Sequence, residues 1–175
     1  ESGDWDDLAW DPELTAERLY AWLCWGGPAF AAGSAEQRED LFRCAARQAR
    51  LLLLAENELS ERKLASIKAG AALVLAAAAG MPESDRLAEQ GEEMLIEACA
   101  KQFHADGGHL SRSPEALAEA LGDLAVACGA LADPPPMVRD MLPKLASMLR
   151  LLRLNAGALV CFHGGAEGSP AALDA

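Results

Sequence analysis

The chain has 175 residues, 51% of them apolar and only 5% aromatic, which is enough for a packed core built mainly from alanine and leucine. That balance favours close helix packing over β-sandwiches, which draw on β-branched and aromatic side chains. A formal charge of −12 sets the surface against nucleic acid and anionic lipid, and any anionic substrate would need a local basic pocket.

In chain order, Asp11-Pro12-Glu13 places a capping side chain before a proline at the first helical position, and Leu14, Leu19, Trp22 and Leu23 follow on one face. Ser34 with Gln37 forms a capping box for a second helix running to about Glu56. Ser60 opens a third, ending at Gly80, a residue suited to a left-handed cap. Within it, "AGAALVLAAAAGM" (69–81) is the longest apolar stretch. It is shorter than the ~18 residues of a membrane span and reads as a buried helix. A fourth helix begins near Ser84 and ends close to His104, with Glu92, Glu93 and Glu97 on its solvated side. Ser113-Pro114-Glu115 repeats the cap-proline-glutamate pattern ahead of a stripe of Leu117, Leu121, Leu124, Cys128 and Leu131.

After "DPPP" (133–136) a sixth helix reads Val138, Met141, Leu142, Leu145, Met148, Leu149 and Leu152, and Pro143 either kinks it or marks its true first turn. "ALVCF" (158–162) reads as a short strand and "HGGAEGSP" as a glycine-rich loop. The expectation is one all-α domain over 1–175, with six helices in three antiparallel hairpins and a short irregular or β tail. The five cysteines are odd in number and lack a C-x-x-C pair, so most read as small core residues. Reduced thiols slightly favour a cytoplasmic setting; the acidic start shows no signal peptide, and localisation is otherwise open.

Chemistry concentrates in two loops. In "FHADGGHLSRSP" (103–114), His109 follows two glycines, so its backbone can approach a ligand and its imidazole can titrate near neutrality. It reads equally as a loop histidine that caps the next helix or packs on a neighbour. Arg112 suits a bidentate grip on a carboxylate or a solvated loop position. His163 precedes Gly164-Gly165 in the second loop, while His104 ends a helix, where a cation suits the dipole. A metal set of His104, Asp106 and His109 is crowded into six residues without a cysteine and is set aside; no cofactor is called for. Of the four tryptophans near the N-terminus, Trp22 lies on the core stripe, whereas Trp10 and Trp25 flank helix ends, where an indole could stack on a ligand ring.

"WDPELTAERLYAWLCW" (10–25), "RCAARQARLL" (43–52), "FHADGGHLSRSPEAL" (103–117), "MLPKLASMLRLLR" (141–153) and "LVCFHGGAEG" (159–168) occur in this order. Together they resemble the helical domain of heparinase II/III-like proteins, from about Trp10 to Gly168. The resemblance implies a partial (α/α) toroid packed against a C-terminal β-sandwich domain beyond this chain. It implies an acidic polysaccharide as partner, held in the cleft between the two domains and cleaved beside a uronic acid by β-elimination. His109, Arg112 and His163 would be catalytic: Arg112 or His109 neutralises the uronate, and the base is His163 or comes from the missing half. Trp10, Trp25, Asp106, Gly107, Gly108, Ser111, Gly164 and Gly165 would bind substrate. The two glycine-histidine loops would then face one hollow. The chain departs from the family at 107–117, where "GGHLSRSPEAL" has neither tyrosine nor asparagine. Two other readings stand beside the lyase: a non-catalytic glycan-binding relative, and a helical interaction scaffold that needs no site but presents an exposed apolar face.

Overall fold

The computed structural model describes residues 9–55, 58–59, 63–154, 157–163 and 165–166. Seven helices run through them: α1 Pro12–Trp25, α2 Gly27–Ala32, α3 Ala35–Leu54, α4 Lys63–Ala78, α5 Ser84–Gln102, α6 Pro114–Ala130 and α7 Pro136–Leu151. The expected all-α class is what these helices establish; a toroidal ring is not. Among the described residues there is no strand, and the segment read as one, 158–162, carries only an isolated bridge between Arg153 and Leu159. Among them, too, no helix is long and apolar enough to cross a membrane. Ser60 and Gly164 lie outside the described residues.

Local signals place the helix starts. Asp11 Oδ1 accepts from the N–H groups of Glu13 and Leu14 at 2.9 and 3.2 Å. Ser34 and Gln37 close their capping box at 3.2 and 2.9 Å, and Ser113 Oγ accepts from the Ala116 amide at 3.3 Å. Each cap satisfies donors that the first turn would otherwise leave open, worth about 1 kcal/mol apiece. The extra helix is α2. Gly26-Gly27-Pro28 looks like a plain turn, but a proline in a first turn displaces no internal hydrogen bond, so a short helix forms there.

The chain divides into two compact units, Glu1–Leu95 and Ile96–Ala175. In the first, α4 is the buried element, packed on α1 and α3. Its apolar residues run round every side, and Ile67, Ala69, Ala71, Ala72, Leu73, Val74 and Ala76 are all sealed from solvent, with Ser66 and Lys68 as the buried polar exceptions. Two helices cross here at glycines: a Cβ at Gly91 would lie 2.8 Å from the Gly70 carbonyl oxygen, and one at Gly70 would lie 3.0 Å from that of Gly91. The one lysine on the buried stretch, Lys68, sits 3.6 Å from Glu17 and 5.0 Å from the centre of the Tyr20 ring.

In the second unit, α6 packs on α7 around Leu117, Leu124, Leu145 and Leu149. Helix α7 starts at Pro136 and passes through Pro143, so this proline lies inside the helix rather than at its first turn; Ser147 Oγ donates back to its carbonyl at 2.7 Å. Beyond α5 and α7 the backbone makes the same clasp twice. After α5, the amides of His104, Gly107 and Leu110 donate to the carbonyls of Gly108, His104 and Gln102 at 2.8, 3.0 and 2.9 Å. After α7, the amides of Leu154, Gly157 and Val160 donate to Ala158, Leu154 and Leu152 at 2.8, 2.8 and 3.0 Å. Both clasps turn on a glycine in the left-handed region, Gly107 at φ 89° and Gly157 at φ 87°, where a side chain is strained.

Candidate functional site

The first clasp places most of the loop residues singled out by sequence. Gly107 is buried, and a Cβ there would sit 2.5 Å from the Lys144 carbonyl oxygen, so the left-handed turn and the packing on α7 both require glycine. Asp106 Oδ1 accepts from the Gly108 amide at 2.9 Å, which ties the turn locally.

His109 is 4% exposed and occupies the same place in its clasp as Leu159, 1% exposed, in the second. Its Nδ1 accepts from the Ser111 amide at 3.1 Å and lies 2.7 Å from Ser111 Oγ. An amide can only donate, so this geometry assigns the ring proton to Nε2 and leaves the imidazole neutral. Ser111 Oγ in turn accepts from the Ser113 amide at 3.2 Å, and Ser113 Oγ caps α6. The ring packs edge-on to Phe103 with centroids 5.4 Å apart. These bonds describe His109 packed on Phe103 and accepting from the Ser111 amide, while the cap of α6 is Ser113.

Arg112 is exposed and carries φ 57°, with its amide donating to the His109 carbonyl at 2.9 Å. Together with His104, Asp106, Gly108, His109 and Phe162 it edges a hollow of about 290 Å³. The floor of that hollow is apolar, formed by Leu117, Met148 and Leu152. His163 is exposed at φ 51° and meets the Phe162 ring edge-on with centroids 5.6 Å apart, but it does not line the hollow. Gly165 approaches the start of α6, where its Cβ position would lie 2.8 Å from Ser113 Oγ, and the Ala166 amide donates to Glu115 Oε2 at 2.9 Å. Thus His109 and Arg112 share one hollow, Phe162 from the second loop joins them, and His163 stays outside.

Trp10 and Trp25 belong to the first unit. Arg18 lies 5.9 Å from the centre of the Trp10 ring and is held there by Gln48 Oε1 at 2.9 Å and the Ala9 carbonyl at 3.0 Å. Trp25, at the end of α1, is 78% exposed. Among the described residues no three His, Cys, Asp or Glu side chains converge as metal ligands.

The chain is 33% identical over 180 aligned residues to FtsZ-localized protein C of Caulobacter vibrioides. The alignment takes in 99% of this chain and 30% of that protein, so the chain spans under a third of the relative's length. No family model matches the sequence, and no solved structure matches it.

That relative overturns the heparinase II/III-like resemblance, and with it polysaccharide-lyase activity by β-elimination on uronic-acid glycans, glycan binding and a place in carbohydrate metabolism. The physical reason for the mistaken likeness lies in the motifs themselves. The Gly-Gly-His and Ser-Pro-Glu segments are dictated by a left-handed turn, a close approach to α7 and an N-terminal cap, demands that many helical hairpins make whatever they bind. Sequence reading also passed over Arg43, Arg47 and Arg50. Their spacing of four and three places them on one face of α3, and it was legible in "RCAARQARLL".

Proposed function

We propose that the chain is a helical interaction scaffold within a cell-division-related protein that associates with FtsZ. The observation that carries this reading is the alignment along 99% of the chain to a protein named for its localisation with FtsZ. Large apolar side chains left open to solvent in each unit, Trp25 at 78% and Leu54 at 77% in the first and Leu151 at 79% in the second, support contacts with other proteins. Because the relative is more than three times as long, contact with FtsZ belongs either to this portion or to the remainder of such a protein.

The experiment is co-sedimentation of the purified chain with polymerised FtsZ, together with a fluorescent fusion imaged against labelled FtsZ in cells. Saturable pelleting and coincident signals are expected. A chain that stays in the supernatant and a diffuse fusion would refute the reading.

A further inference from the structure

A hollow of about 190 Å³ opens between α3 and the start of α5 in the first unit. This is roughly six times a water molecule's share of liquid volume. Its floor is apolar, with Leu53 and Leu87 at the base, and Arg43, Arg47 and Arg50 stand along one side. Arg43 is already engaged by Glu39 at 2.9 Å and Asp40 at 3.0 Å. Glu83, the carboxylate on the opposite rim, pairs with Arg86 at 3.3 Å instead of reaching across. Among the described residues neither Arg47 nor Arg50 has an ion-pair partner, although the chain carries twelve more negative than positive charges. Two unpaired guanidinium groups beside an apolar floor are thus a local exception to the protein's charge. Glu83 adds a second oddity at the same rim: it holds φ 63°, a left-handed conformation that a glutamate adopts only under strain.

We propose that this hollow docks an acidic peptide segment of a partner protein. One apolar side chain of that segment seats over Leu53 and Leu87, and flanking carboxylates meet Arg47 and Arg50. Guanidinium groups suit carboxylates through paired N–H donors, and an apolar anchor in a pocket with charges at its rim is the usual anatomy of peptide capture. The protein's own charge decides against an anionic lipid surface. An extended plane of negative headgroups meets the whole field of a −12 chain, whereas a short peptide senses the charges within a Debye length of about 8–10 Å. The inference deepens the scaffold reading by naming the chemistry of the segment it would hold, and rests on it only for the partner being a protein.

The test is fluorescence anisotropy on the full chain. The probe is a labelled dodecapeptide with a central Leu-Phe flanked by Asp and Glu. One control peptide replaces the acids by Asn and Gln, and another replaces Leu-Phe by alanines. Binding of the acidic probe is expected to weaken about tenfold or more in Arg47→Glu/Arg50→Glu and with added salt. Arg47→Lys/Arg50→Lys should retain more of it, and Arg38→Glu, on α3 but off the hollow, should leave it unchanged. All three arginines are exposed, so the far-ultraviolet circular dichroism of the variants should match the parent. The inference is overturned by an acidic probe that does not bind, by equal binding to the Arg47→Glu/Arg50→Glu chain, or by equal binding of the alanine-anchored control. Arginine-dependent binding to phosphatidylglycerol vesicles without peptide binding overturns it in favour of a lipid surface. The FtsZ sedimentation assay is read separately. Peptide binding without FtsZ binding upholds the hollow and removes that partner, and the reverse removes the hollow alone.

Discussion

Gly91 offers the sharpest test of how the first unit is packed. Replacing a mid-helix glycine by alanine normally stabilises a helix by about 0.8–1 kcal/mol, because the unfolded chain loses freedom and the helix does not. At Gly91 the added methyl group would lie 2.8 Å from the Gly70 carbonyl oxygen, 2.9 Å from Val74 Cγ2 and 3.1 Å from the Val74 nitrogen. Two of these three are main-chain atoms of α4 and cannot rotate away, and Val74 is buried. Overpacking of this kind costs about 1–3 kcal/mol, so Gly91→Ala should lose a net ~0–2 kcal/mol in place of the usual gain. Gly122 on α6 is the control, since nothing lies within 4 Å of its Cβ position and Gly122→Ala should gain up to about 1 kcal/mol. The assay is urea unfolding. All four tryptophans fall within the first unit, so their fluorescence follows the unit that holds Gly91, while far-ultraviolet circular dichroism follows Gly122→Ala. If Gly91→Ala raises the fluorescence midpoint as Gly122→Ala raises the dichroic one, the glycine crossing does not exist as described.

Three further outcomes are expected. Gly107→Ala combines a left-handed residue at ~1–2 kcal/mol with a clash 2.5 Å from the Lys144 carbonyl oxygen at ~1–3 kcal/mol, so a loss of about 2–5 kcal/mol should appear in dichroic unfolding, and a loss under about 1 kcal/mol would contradict the clasp. His109→Leu installs the residue that the second clasp carries at the same place; it should keep the fold and cost about 1 kcal/mol, because the Ser111 amide loses its acceptor, as a urea titration would show. Burial, with Cys128 nearby, pushes the Cys99 thiol up from 9.0 to about 12. The native state therefore holds this proton while the unfolded state releases it, so the thiol's contribution is whole below pH 9 and is lost as pH rises towards 12, by roughly 4 kcal/mol at most. Cys99→Ala should flatten the fall in urea midpoint across that window, and an unchanged slope would refute the assignment.

The helices were legible in sequence where their causes are local. Asp11, Ser34 and Ser113 cap within three residues of themselves, and the unbroken apolar run in α4 can only be buried. What was missed is either ambiguous locally or depends on neighbours distant in sequence. Helix α2 hides behind a Gly-Gly-Pro that reads as a turn. The tie between Trp10, Arg18 and Gln48 joins α1 to α3, and no spacing rule finds it. The paired clasps share their main-chain bonds but, apart from the glycine, hardly any residues: Phe103 matches Arg153, His104 matches Leu154 and His109 matches Leu159. For the candidate site, proximity of His109 and Arg112 was readable because three positions of loop separate them. The protonation that Ser111 imposes on the imidazole was not, and neither was the likeness to an FtsZ-localized protein, since motifs set by backbone geometry say little about what a protein recognises.

The doubled clasp also bears on how such a sequence drifts. Its three bonds run between main-chain atoms, so the exposed side chains around them are free to be rewritten over evolutionary time while the turn persists. Intolerance should collect at two positions per copy, the glycine and the buried residue two places on, and a saturation library selected for folded protein should show paired troughs at 107 and 109 and at 157 and 159.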